Sequence, residues 1–400
     1  MDTLDERVDI ARTLLSAGIT PADLEISPDL AAAPEGPVLA ANLQLVFPDG
    51  LALVPQPFDV VPPTDAALPR ADVVVITWTV DENDALADVF TKGFGRLKWY
   101  RYTRRFEDHY RPLIRRRAPA FAAGRLGSYF PVKLGDLDVL CMKSELHLNQ
   151  DGIKTGPGTA TLPVRDFFKQ IIEEVQPRVI ATIGTAGSVF ENFPLGDVVV
   201  TRAAKFRCQK EFLHEEFNGR EFQCDWTLPL GRMEDAQTLM HRFADQLKEP
   251  PLGPPSTRYP FAGPLIAPPD NVPTARFEQD KRDMAEFHPI LTTDYFEYGT
   301  STNGLEAEGA AVEMGDAVLG LAVADLTEAG ADHVPDWVVV RNMSDPQING
   351  ELPTKKFRLN PQTMWAVGYY ESYGYWTSVC GALTTWGLLA GLSEAGFDDA

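Results

Sequence analysis

The chain is read as a three-layer α/β/α domain built on a central mixed β-sheet, and three segments support that reading. Residues 179–189 (Val-Ile-Ala-Thr-Ile-Gly-Thr-Ala-Gly-Ser-Val), 311–319 (Ala-Val-Glu-Met-Gly-Asp-Ala-Val-Leu) and 337–345 (Trp-Val-Val-Val-Arg-Asn-Met-Ser-Asp) each pattern as a buried strand that ends in small or polar residues. Short apolar runs closed by Gly, Ser or Asp are how strands of an α/β sheet deliver chemistry to their carboxyl edge. Asp345 follows the apolar run 338–340, where partial burial raises a carboxyl's pKa and makes it a proton donor near neutral pH.

The elements follow in order. Residues 1–70 open with an amphipathic pattern, Val8, Ile10, Ala11, Leu14 and Leu15, and then turn rich in Pro and Ala, an N-terminal extension packed on the domain formed by residues 71–400. Residues 73–77 form a strand, and 81–90 a helix with acids near its positive end. Strands are expected around 129–132 and 139–148. A helix follows over 161–175 with apolar Leu162, Phe167, Phe168, Ile171, Ile172 and Val175, stopped by Pro177 before the strand at 179. Helix and strand in alternation indicate crossover connections. Proline-rich runs break the rhythm over 203–288, an insertion kept with the core as a lid or interface arm. The sheet resumes at 290–296. A strand at 309–314, a helix at 316–326, a strand at 337–342 and a last helix at 365–392 complete the domain.

Composition narrows the partners. A chain of 400 residues with 44% hydrophobic content buries a large core, and its formal net charge of −21 disfavours nucleic acid and anionic membrane surfaces. Cys141, Cys208, Cys224 and Cys380 are scattered without C-x-x-C spacing, the pattern of buried free thiols in a reducing cytoplasm. The start carries no export signal, no apolar stretch reaches the ~20 residues of a spanning helix, and the six histidines show no metal-ligand spacing. A cytoplasmic protein without metal or cofactor is expected.

The residues 183–187 (Ile-Gly-Thr-Ala-Gly), 195–200 (Leu-Gly-Asp-Val-Val-Val), 311–314 (Ala-Val-Glu-Met) and 340–345 (Val-Arg-Asn-Met-Ser-Asp) resemble, in their order and spacing, the purine nucleoside phosphorylase and nucleosidase superfamily. Within it the chain is most similar to the methylthioadenosine/S-adenosylhomocysteine nucleosidase branch. The resemblance implies hydrolysis of the N-glycosidic bond of a purine nucleoside or nucleotide through an oxocarbenium-like transition state, by a homodimer or higher homo-oligomer. It implies that Asp345, of the Ser344-Asp345 pair, protonates the purine at N7. Arg341 occupies a matching position, and its alternation with the apolar strand suggests a buried ion pair as readily as ligand contact.

In the nucleosidase branch a carboxylate after the first strand activates water; here Asp84 fits that register best, with Glu82 second. Carboxylates in this turn favour water and repel phosphate. The family's ribose-binding Glu is replaced by Gly315, so Glu313 or Asp316, beside Met314, must hold the sugar. A rival register places Glu308 there, 37 residues before Asp345. Phe296 resembles the base-stacking segment. Ala186 and Gly187, with Gly184, fit a turn where backbone approaches ligand. Thr155-Gly-Pro-Gly-Thr159 is a further turn-like segment. Nine Lys or Arg lie in 96–117, a salt-bridging surface or a 5′-phosphate clamp. Two alternatives stay open: phosphorolysis, using arginines of that stretch, and a catalytically weak nucleoside sensor, suggested by Gly315.

Overall fold

The computed structural model describes residues 43–116, 118–153, 160–247, 275–278, 288–351 and 361–397. Among them thirteen strands form one mixed sheet. They are β1 (Leu53–Pro55), β2 (Val73–Thr77), β3 (Tyr100–Tyr102), β4 (Gly127–Leu134), β5 (Leu137–Ser144), β6 (Val179–Ser188), β7 (Val198–Thr201), β8 (Ala203–Phe206), β9 (Glu221–Gln223), β10 (Ala275–Glu278), β11 (Ile290–Thr292), β12 (Ala311–Glu313) and β13 (Asp336–Asp345). The main path runs β1-β4-β5-β2-β6-β12-β11-β8-β9, with β13 also on β6 and leading to β7 and β10.

β6 is the strand on which the sheet divides. Its first half pairs with β2, nearly its whole length pairs with β13, and its last residues, Gly187 and Ser188, pair with β12. β2 and β13 both run parallel to β6, so Thr77, Gly184 to Ser188 and Arg341 to Asp345 arrive at one edge. β2 is buried at every position, as a parallel strand covered on both faces must be. The register of β13 shifts between Met343 and Asp345, a bulge that re-aims the side chains at the strand's end.

The helices are α1 (Val80–Phe90), α2 (Pro119–Ala123), α3 (Leu148–Asp151), α4 (Pro163–Val175), α5 (Met233–His241), α6 (Asp316–Glu328) and α7 (Pro361–Ala395). α1 packs on α7, which lies along β13 and β6, while α4 packs on α6, which lies along β8, β9 and β11. Sheet and flanking helices make the expected three-layer architecture. Gly381 brings α7 close to β13: a Cβ there meets Asn342 Oδ1 at 2.7 Å. Asn342 Nδ2 donates to Thr377 Oγ1 of the same helix at 2.9 Å.

Several boundaries differ from expectation: β5 ends at Ser144 rather than 148, and β11 at Thr292 rather than 296. The strand at 337–342 continues to Asp345, and the break placed at 203 falls inside the sheet, since β8 pairs with β11 and β9 with β8. These two strands have only four and three residues, too short to carry a legible period. Residues 248–274 and 279–287 of the expected insertion lie outside the described residues, as do the helix around Val8 and Leu15 and the turn 155–159. From residue 43 onward the extension buries Leu43, Leu51 and Leu68, and Trp386 Nε1 donates to the Leu51 carbonyl at 2.9 Å. All four cysteines are buried, and none forms a disulfide. Among the described residues no helix is long and apolar enough to cross a membrane.

Candidate active site

The end of β2 and the start of α1 place Glu82. Thr79 caps α1, and Glu82, at the third helical position, completes a capping box. Its Oε2 accepts from Thr77 Oγ1 (2.7 Å) and from the backbone N–H groups of Trp78 (3.0 Å) and Thr79 (2.8 Å). Its Oε1 reaches β6 and accepts from the Thr185 N–H and hydroxyl, both at 2.8 Å. Burial alone pushes this carboxyl's pKa up. The Arg341 guanidinium and the bonds from Thr185, Thr79 and Thr77 outweigh that and hold it below the ordinary value.

Arg341, on β13, is the hub beside it. Asp316, the first residue of α6, grips it through both oxygens, accepting from Nε at 2.7 Å and Nη2 at 2.6 Å. The guanidinium lies 5.0 Å from the centre of the Trp78 ring. Glu313 closes the cluster: Oε1 accepts from the Thr292 hydroxyl and from the Asp316 N–H, at 3.0 Å for the latter. Its Oε2 lies 3.2 Å from Arg341 Nη2 but is not aligned as a hydrogen bond. Burial and the neighbouring Asp316 raise the Glu313 pKa above the ordinary carboxyl value, against the pull of Arg341.

Asp345 lies farther along the same edge. Ser344 Oγ is 3.0 Å from Asp345 Oδ1 and 3.3 Å from the Ala186 carbonyl, while Asp345 Oδ2 is buried without a hydrogen-bond partner. Burial pushes its pKa up to about 7, with the Ser344 bond pulling weakly the other way. The close approach of β6 depends on Gly187, where a Cβ meets Asp345 Oδ2 at 2.9 Å. Gly184 plays the same part for the other group: a Cβ there meets Arg341 Nη1 at 2.5 Å and Glu82 Oε1 at 2.7 Å. Glu82 is bonded to Thr185, and Asp345 sits in register with Gly187, two residues on, roughly 7 Å along the strand.

Several expected residues are placed otherwise. Asp84 is not at this edge contact; it is half-buried and ion-paired with Arg96 at 2.8 Å, because a helix turns a residue two positions on away from its neighbour's face. Glu82, the second choice, makes the contact with β6 instead. Asp316 is fully buried and bonded to Arg341 through both oxygens. Glu308 pairs with Arg207 at 3.1 Å, in a cluster that also holds Glu297. Glu313 retains one acceptor, Oε2, without a hydrogen bond. Met314 is half-buried between Glu313 and Gly315. Phe296 is half-buried against Tyr298, ring centres 5.9 Å apart, and the Tyr298 Cα is 3.5 Å from the Cβ position on Gly187.

Sequence reasoning passed over Thr185, Trp78 and Tyr298. The signal for Thr185 was its place between Gly184 and Ala186, where a hydroxyl among small residues at a strand end marks a polar contact; Trp78 and Tyr298 carried no local signal. Among the described residues no group of three His, Cys, Asp or Glu is arranged to hold a metal ion.

No family model matches the chain, and no curated protein does. Among solved structures it is similar to a 5′-methylthioadenosine/S-adenosylhomocysteine nucleosidase from Neisseria meningitidis, at 13% identity and TM-score 0.41 over 80% of this chain and 99% of that one. It is also similar to the futalosine hydrolase of Helicobacter pylori strain 26695, at 10% identity and TM-score 0.42 over 79% of this chain and 96% of that one. A third is the Campylobacter jejuni 5′-methylthioadenosine/S-adenosylhomocysteine nucleosidase, at 12% identity and TM-score 0.42 over 80% of this chain and 99% of that one.

Proposed function

We propose that the chain hydrolyses the N-glycosidic bond of a purine nucleoside or nucleotide and releases the free base. The observation that carries this is the pairing, on one sheet edge, of a carboxyl raised to about 7 with a buried carboxylate held below its ordinary value. Two groups driven apart in this way divide into acid and anion. Asp345, through Oδ2, gives its proton to the purine as the bond to the anomeric carbon breaks, and the bonding electrons leave with the base. The positive charge that develops on the sugar faces ionised Glu82. A water donating to the Thr185 hydroxyl, whose own proton is directed at Glu82, adds to the anomeric carbon and releases its proton to solvent, while Glu82 acts through its charge.

Glu313 Oε2 is the acceptor we assign to the sugar hydroxyls. The negative charge of Glu82 beside the nucleophile's position favours water over phosphate, against phosphorolysis. Gly315, which puts no side chain toward the sugar, favours a second reading, a nucleoside-binding protein that cleaves slowly. The assembly proposed with the activity is a homo-oligomer.

The test is incubation with a panel of purine nucleosides and nucleotides, with and without inorganic phosphate, following free base. Phosphate-independent release is expected. Release that requires phosphate overturns hydrolysis, and tight binding with no release establishes the second reading.

A further inference from the structure

Four arginines of the 96–117 stretch meet carboxylates: Arg96 pairs with Asp84, Arg104 with Glu174, Arg111 with Glu107 and Arg115 with Glu211. Arg101 does not. It is exposed on β3 and has no acid partner among the described residues. It lines a cavity of about 80 Å³ together with Arg96, Arg125, Lys143, Glu145 and Asn83. Four cations therefore line the cavity with one carboxylate, Glu145, while Asp84 holds Arg96 from outside the lining, in a chain whose formal net charge is −21. The Glu145 carboxylate is already engaged at both oxygens: Arg125 holds Glu145 Oε1 through Nε (2.9 Å) and Nη2 (2.6 Å), and Lys143 holds Oε2.

A second observation points to a ligand. Asn83, only 4% exposed, is part of the cavity wall, and its Oδ1 has no hydrogen-bond partner. A buried amide left unsatisfied costs free energy, and turning it about its last bond exchanges acceptor for donor. The place is also distinct from the Glu82 contact. Lys143 lies on β5 in register with Thr77, so the cavity is on the β5 side of β2, whereas the Glu82 carboxylate reaches β6 on the other side.

We propose that this cavity binds a phosphate group, as the free ion or as the monoester of a nucleotide. Arginine forks and a lysine match the charge and oxygen geometry of phosphate. Binding is read directly, without turnover, so the outcome is independent of whether the chain cleaves nucleosides. Calorimetric titration of the full chain with inorganic phosphate, with a purine nucleoside 5′-monophosphate and with the matching nucleoside separates the sources. Saturable inorganic phosphate binding identifies the free ion; a monophosphate that binds tighter than its nucleoside identifies the monoester. In either case Arg101→Glu, at the exposed rim, weakens the phosphate-dependent part at least about tenfold, the scale of one charge-assisted contact, and Asn83→Ala weakens it less. The proposal is overturned if neither phosphate species binds beyond the nucleoside, or if the affinity is unchanged in Arg101→Glu.

Discussion

Glu82 and Asp345 are buried to the same degree, 2% and 3% exposed, on the same sheet edge, yet they differ in every partner. Around Glu82 five donors, from Thr77, Trp78, Thr79 and Thr185, fill both oxygens, and Arg341 stands beside them. Around Asp345 one serine hydroxyl meets one oxygen and nothing meets the other. Burial sets the cost of charge, and the local donors decide whether it is met. One strand, β6, holds both outcomes because Thr185 offers a hydroxyl and an N–H where Gly187 offers only space.

Removing the dry carboxyl breaks the comparison most. Asp345→Asn keeps the shape and loses the proton, and base release is expected to fall about 10²- to 10⁴-fold. Stability moves the other way. A carboxyl raised to about 7 in the folded state binds a proton that the unfolded chain, near its ordinary 3.8, has released, so the parent loses stability as pH rises through that interval. The Asn variant carries no such penalty and melts higher than the parent at pH 8, by an amount that shrinks toward pH 4. Equal rates in variant and parent remove Asp345 from the reaction.

Glu82→Gln comes next. Base release is expected to fall by about a hundredfold, the effect of losing one preorganised electrostatic partner of a developing charge. Unlike the first variant this one also destabilises, by about 3 kcal/mol, because the Gln amide turns an N–H toward donors and leaves Arg341 with one anion fewer. A rate loss without a fall in melting temperature contradicts the hydrogen-bond count around Glu82.

The pH profile sharpens the same contrast without mutation. If Asp345 must be protonated, kcat/KM falls above about pH 7, by roughly tenfold per unit. On the acid side Glu82 is held below its ordinary 4.5, so its protonation imposes no loss until below that value, where the stability it contributes is lost as well. A profile that rises from pH 7 to pH 9 excludes a buried acid as the donor.

What the sequence disclosed follows from how locally each feature is encoded. β2, a run of Val-Val-Val-Ile-Thr buried throughout, and the apolar part of β13 were legible because a parallel strand needs nothing beyond its own residues to be recognised. The buried place of Asp345 was legible for the same reason, at the end of such a run. The bond from Glu82 to Thr185 joins residues 103 positions apart, and the grip of Asp316 on Arg341 joins residues 25 apart. No periodicity encodes such contacts, and thus the sequence left Asp316 beside Glu313 as a candidate sugar ligand without showing its grip on Arg341. The short strands β8 and β9 were hidden by the opposite difficulty, too few residues to show a period.

The smallest expected effect falls on Asp84, and it decides between two carboxylates on one helix turn. Asp84 and Glu82 are two residues apart on α1, so their side chains leave the helix in different directions. Asp84 is half-buried, paired with Arg96, and raised to about 6 chiefly by partial burial. With its side chain 38% exposed, the pair is screened by solvent and contributes little. Asp84→Asn is therefore expected to leave base release within about twofold and the melting temperature nearly unchanged, the usual result for a surface substitution. Measured beside Glu82→Gln, it separates a carboxylate aimed at β6 from one aimed at an arginine outside the edge. A hundredfold loss in Asp84→Asn, with Glu82→Gln active, returns the water-activating role to Asp84 and requires α1 to turn on binding.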